Sequence, residues 1–122
     1  MIRVLLVEDN LTNQLVATKM LEKLGCSVSV AGTGKEAIRL FQSNTFDLVF
    51  MDYQLPEMNG IDTAHEIRRL ERSGCHVPII TMSASVLAQD RKRFREADMD
   101  DLVPKPVQMT LLQTMIDRWV KR

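Results

Sequence analysis

Short apolar runs alternate with segments of helical periodicity five times along the chain, and few folds accommodate that alternation. Ile2 to Val7 is an apolar run, and Leu11 to Leu24 has helical spacing that stops at Gly25, a residue type that commonly ends helices. Val28, Val30 and Ala31 alternate with small polar residues and lead into a helix over Lys35 to Gln42. The third pair is Leu48 to Met51 with Gly60 to about Arg72, the fourth Val77 to Met82 with Val86 to Ala97, and the fifth Leu102 to Val103 with Gln108 to Lys121. A strand that is apolar at every position is one covered on both faces. Strict strand–helix alternation with short links predicts an α/β fold, a doubly wound five-stranded parallel sheet, because right-handed crossovers place helices on both faces. Sites in such sheets lie at the carboxyl ends of the strands, near the switch in strand order.

Three of the apolar runs break off at an ionisable residue. Val4 to Val7 ends at Glu8-Asp9, Leu48 to Met51 at Asp52, and Leu102-Val103-Pro104 at Lys105. If these runs are neighbouring parallel strands, one sheet edge collects three carboxylates and one ammonium. Carboxylates so close repel, and the cluster is stable only when protonated or when it holds a hard divalent cation such as Mg²⁺. One acid is then available as a nucleophile, so a phosphoryl-accepting aspartate is the leading reading. Taken alone, Asp9 and Asn10 also read as turn or capping residues, with Thr12 able to cap the next helix.

The segment after Asp52 is Tyr53-Gln54-Leu55-Pro56-Glu57-Met58-Asn59-Gly60. Pro56 restricts it and Asn59-Gly60 offers a turn before the next helix. Ser83 ends the fourth run with a hydroxyl, and the small Ala84 beside it leaves room for a bulky anion. Lys105 lies between Pro104 and Pro106, where it can neither continue a strand nor start a helix, so the backbone sets its position.

These residues resemble, over essentially the whole chain, the receiver domains of two-component response regulators. The resemblance rests on Val7-Glu8-Asp9-Asn10, Met51-Asp52, Leu55-Pro56-Glu57-Met58-Asn59-Gly60, Ser83-Ala84, and Asp100-Asp101 followed by Lys105-Pro106, in order and at the family's spacing. Glu8-Asp9-Asn10, Asn13-Gln14 and Met99-Asp100-Asp101 look most like the receivers attached to hybrid sensor histidine kinases. The resemblance implies a flavodoxin-like (βα)5 fold of strand order 2-1-3-4-5. It implies that Asp52 is the phosphoacceptor, that Glu8, Asp9, Asp52 and the backbone carbonyl of Gln54 bind Mg²⁺, that Ser83 bonds a phosphoryl oxygen, and that Lys105 pairs with the acyl phosphate. It further implies a phosphohistidine donor on a histidine kinase or histidine phosphotransfer domain, a role for Gln54 in phosphate lifetime, and a cis Lys105-Pro106 bond.

Two positions depart from the family's pattern. Leu102 stands three residues before the lysine, where Tyr or Phe is usual, and Asp98 stands where glycine is frequent. The first puts readout through a rotating ring in doubt, and the second requires a different or a strained turn. Neither touches the phosphorylation chemistry.

At about 100° per residue, Asn13, Val16, Ala17, Met20, Leu21 and Leu24 share one sector of the first helix, its expected buried face, whereas Leu11 and Leu15 point the other way. Those two leucines form an apolar strip near the active edge, either ordinary surface leucines or a dock for a helical, histidine-bearing partner. Arg91, Lys92, Arg93 and Arg95 read as a solvated face, with a partner surface as the alternative. In the last helix Leu111, Leu112, Met115, Ile116 and Trp119 read as core packing.

Composition narrows the field further. The 122 residues carry 16 Lys+Arg against 16 Asp+Glu, so no global field points to nucleic acid or a membrane. No apolar run approaches the roughly 18 residues of a membrane span, and a soluble, cytoplasmic chain is expected. The length suits a single receiver domain over residues 1–122, stand-alone or excised from a larger kinase or regulator. Cys26 and Cys75 lack metal spacing and read as fillers of small, partly buried sites. His65 and His76 lie outside the motif loops and read as surface or structural residues. A phosphohydrolase with an aspartyl nucleophile wants a second acid two residues after Asp52, where Gln54 stands. A flavin binder wants a Ser/Thr/Gly-rich loop where Glu8-Asp9-Asn10 repels phosphate. A pseudo-receiver is expected to have lost one of the five site side chains Glu8, Asp9, Asp52, Ser83 and Lys105, and all are present.

Overall fold

In the computed structural model the apolar runs become strands and the periodic segments helices: β1 (Ile2–Val7), α1 (Leu11–Lys23), β2 (Cys26–Ala31), α2 (Gly34–Ser43), β3 (Leu48–Asp52), α3 (Gly60–Leu70), β4 (Ile79–Ser83), α4 (Ala88–Glu96), β5 (Asp101–Pro104) and α5 (Met109–Trp119). The structure describes residues 1–55, 58–71, 74–84 and 88–120, with backbone alone at 88–91. Expectations for Pro56, Glu57, Arg72, Val86, Lys121 and the Arg91 side chain therefore fall outside the described residues. The sheet is parallel throughout, in the order β2-β1-β3-β4-β5, as the resemblance implies. No helix among the described residues is long and apolar enough to cross a membrane.

Strand side chains alternate between two faces, which is why the central strands are apolar at every position. Val4, Leu6, Leu48, Phe50, Ile80 and Met82 pack on one face with Ala17 and Leu21 of α1 and with Leu112, Met115 and Ile116 of α5. Leu5, Val7, Val49, Met51 and Ile79 pack on the other with Ala37 of α2, Ala64 and Ile67 of α3, and Phe94 of α4. Leu111 and Trp119 lie partly buried against the first of these clusters, so the expected core face of α5 holds.

Several local expectations are corrected. α1 is capped by Asn10, whose side chain accepts from the Asn13 N–H, while Thr12 lies inside the helix. Its buried face is centred on Ala17 and Leu21, and Asn13 and Val16 are exposed because the first turns stand above the sheet edge. β4 begins at Ile79 rather than Val77, since Pro78 has no N–H to give the ladder. Cys26 is buried, but Cys75 is exposed and fills no site. Asp98 does adopt a left-handed backbone, φ 58°, a conformation aspartate tolerates better than most residues. Its carbonyl accepts from Arg68 Nε at 3.0 Å and Nη2 at 2.6 Å, which fixes the turn from outside.

Candidate functional site

Strand register brings the ionisable residues together before any side chain is considered. Val7 is level with Met51, so Glu8 stands beside Asp52 one step further along. Asp52 is level with Met82, and Ser83 with Pro104, so Lys105 follows at the same edge. Three backbone bonds extend the ladders past the strand ends: Glu8 N–H to Ala31 O at 3.0 Å, Tyr53 N–H to Met82 O at 3.1 Å, and Lys105 N–H to Ser83 O at 2.9 Å. The edge is therefore as fixed as the sheet beneath it.

Carboxylate oxygens of Glu8, Asp9 and Asp52 all lie within 4.8 Å of one another, with Glu8 and Asp52 buried and Asp9 exposed. Lys105 Nζ sits 2.8 Å from Asp52 Oδ2 and 3.3 Å from Glu8 Oε1. Burial by itself pulls the Lys105 pKa down, but the hydrogen bond and charge of Asp52, and then of Glu8, outweigh it and raise the pKa above the ordinary lysine value. The ammonium is thus held charged between two acids. The remaining Asp52 oxygen, Oδ1, accepts from the Gln54 N–H at 3.2 Å. Glu8 Oε2 accepts from the Asn10 N–H at 3.1 Å, and the Glu8 carbonyl from Gln14 Nε2 at 2.6 Å. A set of hard oxygen donors from two strand ends, one of them open to solvent, fits a hard divalent cation.

Ser83 closes β4, buried, with the exposed Ala84 next to it. The Gln54 side chain is exposed at the same edge. The Lys105-Pro106 bond is cis. A cleft of about 460 Å³ opens beside the acids, lined by Glu8, Asn13, Val16, Ala17, Met82, Lys105, Pro106 and Val107. Leu11 and Leu15 are 79% and 56% exposed on the adjoining face of α1, and Val16, at 44%, joins them to the cleft. His65 is exposed on α3, and His76 lies before the amino end of β4, so neither belongs to the edge.

Sequence reasoning missed the closeness at Gly60. A Cβ there would meet the Asp52 carbonyl oxygen at 2.6 Å and Tyr53 Cα at 3.0 Å, so only glycine lets the start of α3 close on the end of β3. The Asn59-Gly60 turn signal pointed to the place but not to this contact. Asp100 and Asp101, quoted above as motif residues, prove to be ties. Asp100 takes Arg68 Nη2 at 2.8 Å, the Ile79 N–H at 2.8 Å and His76 Nε2 at 2.7 Å. Asp101 takes Arg118 Nη1 at 2.6 Å and Trp119 Nε1 at 2.9 Å.

A parallel sheet of this order, with clustered acids and a lysine at its carboxyl edge, defines a flavodoxin-fold receiver. The chain belongs to the response regulator receiver domain family, which it matches over residues 4–117. It is 41% identical over 118 residues to the aerobic respiration control sensor protein ArcB of Escherichia coli (strain K12), an alignment covering 97% of this chain and 15% of ArcB. The receiver domain of sensor histidine kinase PA1611 from Pseudomonas aeruginosa PAO1 superposes with a TM-score of 0.87 at 38% identity, covering 96% of this chain and 95% of that one. That crystal structure has a magnesium ion coordinated in the active site cleft. The receiver domain of the Saccharomyces cerevisiae response regulator Ssk1, in complex with the histidine phosphotransfer protein Ypd1, gives a TM-score of 0.90 at 32% identity, covering 98% of this chain and 88% of that one. The chain is thus a two-component signalling module of the kind carried by hybrid histidine kinases, and it spans only a small part of such relatives.

Proposed function

We propose that the domain accepts a phosphoryl group from a phosphohistidine on a histidine kinase or histidine phosphotransfer domain onto a carboxylate oxygen of Asp52. It then relays that group or changes conformation. The observation that carries this reading is the placement of buried Asp52 between two further acids and the Lys105 ammonium, 2.8 Å away. In the transfer the N–P bond of the donor breaks, an O–P bond to Asp52 forms, and the imidazole keeps the electron pair and later takes a proton from solvent. A magnesium ion held by Glu8, Asp9, Asp52 and the backbone carbonyl of Gln54 would neutralise charge on the phosphoryl oxygens. Lys105 exchanges its bond to Asp52 Oδ2 for one to a phosphoryl oxygen, and the Ser83 hydroxyl donates to another. Attack of water on phosphorus breaks the O–P bond to Asp52, releases phosphate and regenerates the carboxylate. The domain thus catalyses only its own phosphorylation and dephosphorylation, with the Gln54 side chain beside the path of the attacking water.

The donor docks on α1, where Leu11, Leu15 and Val16 offer apolar surface next to the cleft beside Lys105. A single receiver domain over residues 1–122 and a cytoplasmic setting belong to the same proposal. Mixing the protein with a histidine phosphotransfer domain carrying labelled phosphohistidine tests it. Label is expected to pass to the parent and not to Asp52→Ala, and equal labelling of both would refute the assignment.

A further inference from the structure

The residue that follows Asp52 is aromatic and is only half-buried. The Tyr53 ring meets the ring of Phe94, a buried residue of α4, edge to face, with centroids 5.2 Å apart and planes at 67°. The guanidinium of Arg93, exposed on the same helix, lies over the Tyr53 ring 5.6 Å from its centre. The backbone of Tyr53 has no freedom to follow its ring. Its N–H is bonded to Met82 O at 3.1 Å, its carbonyl accepts from the Gly60 N–H at 2.8 Å, and Gly60 packs closely on its Cα. The ring therefore projects from a fixed point one residue from the Asp52 carboxylate and leans on a helix. Phe94, buried at 4% exposure in the core face beneath Tyr53, is a point at which α4 is held to the sheet.

Phosphorylation of Asp52 replaces its single carboxylate charge by a phosphoryl group of roughly −1.5 to −2, a net gain of about one negative charge carried further out from the strand end. A cation resting on the face of a partly exposed ring is held weakly, and a new dianion on the adjoining residue competes for it. Leu102 of β5, two strands across the sheet, packs against the same core cluster as Tyr53 and is aliphatic, so no rotating ring is available there. We infer that Tyr53, through its ring contacts with Phe94 and Arg93, transmits the phosphorylation state of Asp52 to α4. Arg93 leaves the ring for the phosphoryl group, the Tyr53–Phe94 contact loosens, and α4 shifts. This rests on the phosphoacceptor reading of Asp52.

The chain has one tyrosine, so 3-fluorotyrosine gives a single ¹⁹F resonance that reports this ring alone. On addition of Mg²⁺ and beryllofluoride, a phosphoryl mimic, that resonance is expected to shift and amide exchange across residues 88–97 to change at least threefold. Tyr53→Leu and Arg93→Ala are expected to gain one phosphoryl group from acetyl phosphate by intact mass, as the parent does. Both nevertheless lose most of the exchange response, and Tyr53→Phe keeps it. Should Tyr53→Leu fold poorly, the exposed Arg93→Ala carries the test. An exchange response of parental size in Tyr53→Leu or in Arg93→Ala, or a ¹⁹F resonance unmoved in a phosphorylated parent, overturns the inference while leaving Asp52 as acceptor. A parent that takes up no phosphoryl group overturns the underlying reading and this inference with it.

Discussion

Lys105 is the countercharge of two buried carboxylates at once, 2.8 Å from Asp52 and 3.3 Å from Glu8. Its pKa is raised in the fold, so its contribution to stability is complete below the ordinary lysine value of 10.5 and is lost only as pH climbs through the raised one. Across the neutral range it is therefore fully present. Lys105→Met leaves the two acids facing each other and is expected to cost about 2 kcal/mol, less than a fully buried pair because the lysine is partly exposed. Millimolar Mg²⁺ should restore more of the variant's melting temperature than it adds to the parent's. Equal Mg²⁺ effects on the two melting curves would show that the lysine and the cation do not share these acids. The ionisable residues were legible in the sequence because charges that close apolar runs are rare without a reason. Their distances were not, and nor was the contact at Gly60, which depends on how the start of α3 approaches the end of β3.

At the scale of elements, α1 presents Leu11 and Leu15 to solvent beside the acid edge. Replacing both by alanine is expected to slow transfer from a phosphohistidine partner at least tenfold while leaving uptake from acetyl phosphate unchanged, because the small donor needs no dock. Unchanged partner transfer in stopped-flow or quench measurements would move the docking surface elsewhere. Periodicity assigned those two leucines to the outside correctly but placed Val16 and Asn13 inside. A helical wheel records angle only, and these residues lie on early turns that overhang a cleft instead of the core. The other end of the sheet is tied by Asp101. Burial raises its pKa, but hydrogen bonds from Trp119, the Leu102 N–H and Arg118, with the charge of Arg118, bring the net value below the ordinary 3.8. Such a depressed pKa gives stability that is present above the unfolded value and lost as pH falls through the folded one. Asp101→Asn should therefore be destabilised by about 1 kcal/mol at pH 7, and the gap should close below about pH 4. A gap that is constant from pH 7 to below pH 4 in urea melts would contradict this tie.

For the whole molecule, the two ends of the sheet do different work. The amino end is stitched by Arg68, which reaches Glu71, Asp100 and the carbonyls of Val77 and Asp98, while the carboxyl end gathers like charges that oppose folding. Sequence alone conveyed the fold class, because two-sided burial writes continuous apolar runs and right-handed crossovers leave few topologies. Strand order followed from the resemblance carried by the motif residues. Most of the Arg68 cluster was not legible, since besides the nearby Glu71 and Val77 it joins Arg68 to Asp98 and Asp100, 30 and 32 positions away. The most direct test of the central claim is intact mass after incubation with acetyl phosphate, with Mg²⁺ or with EDTA, for the parent and Asp52→Ala. The account predicts a gain of one phosphoryl group in the parent with Mg²⁺ and none in the other three samples. A gain in Asp52→Ala, or an equal gain in the parent with EDTA, would contradict it.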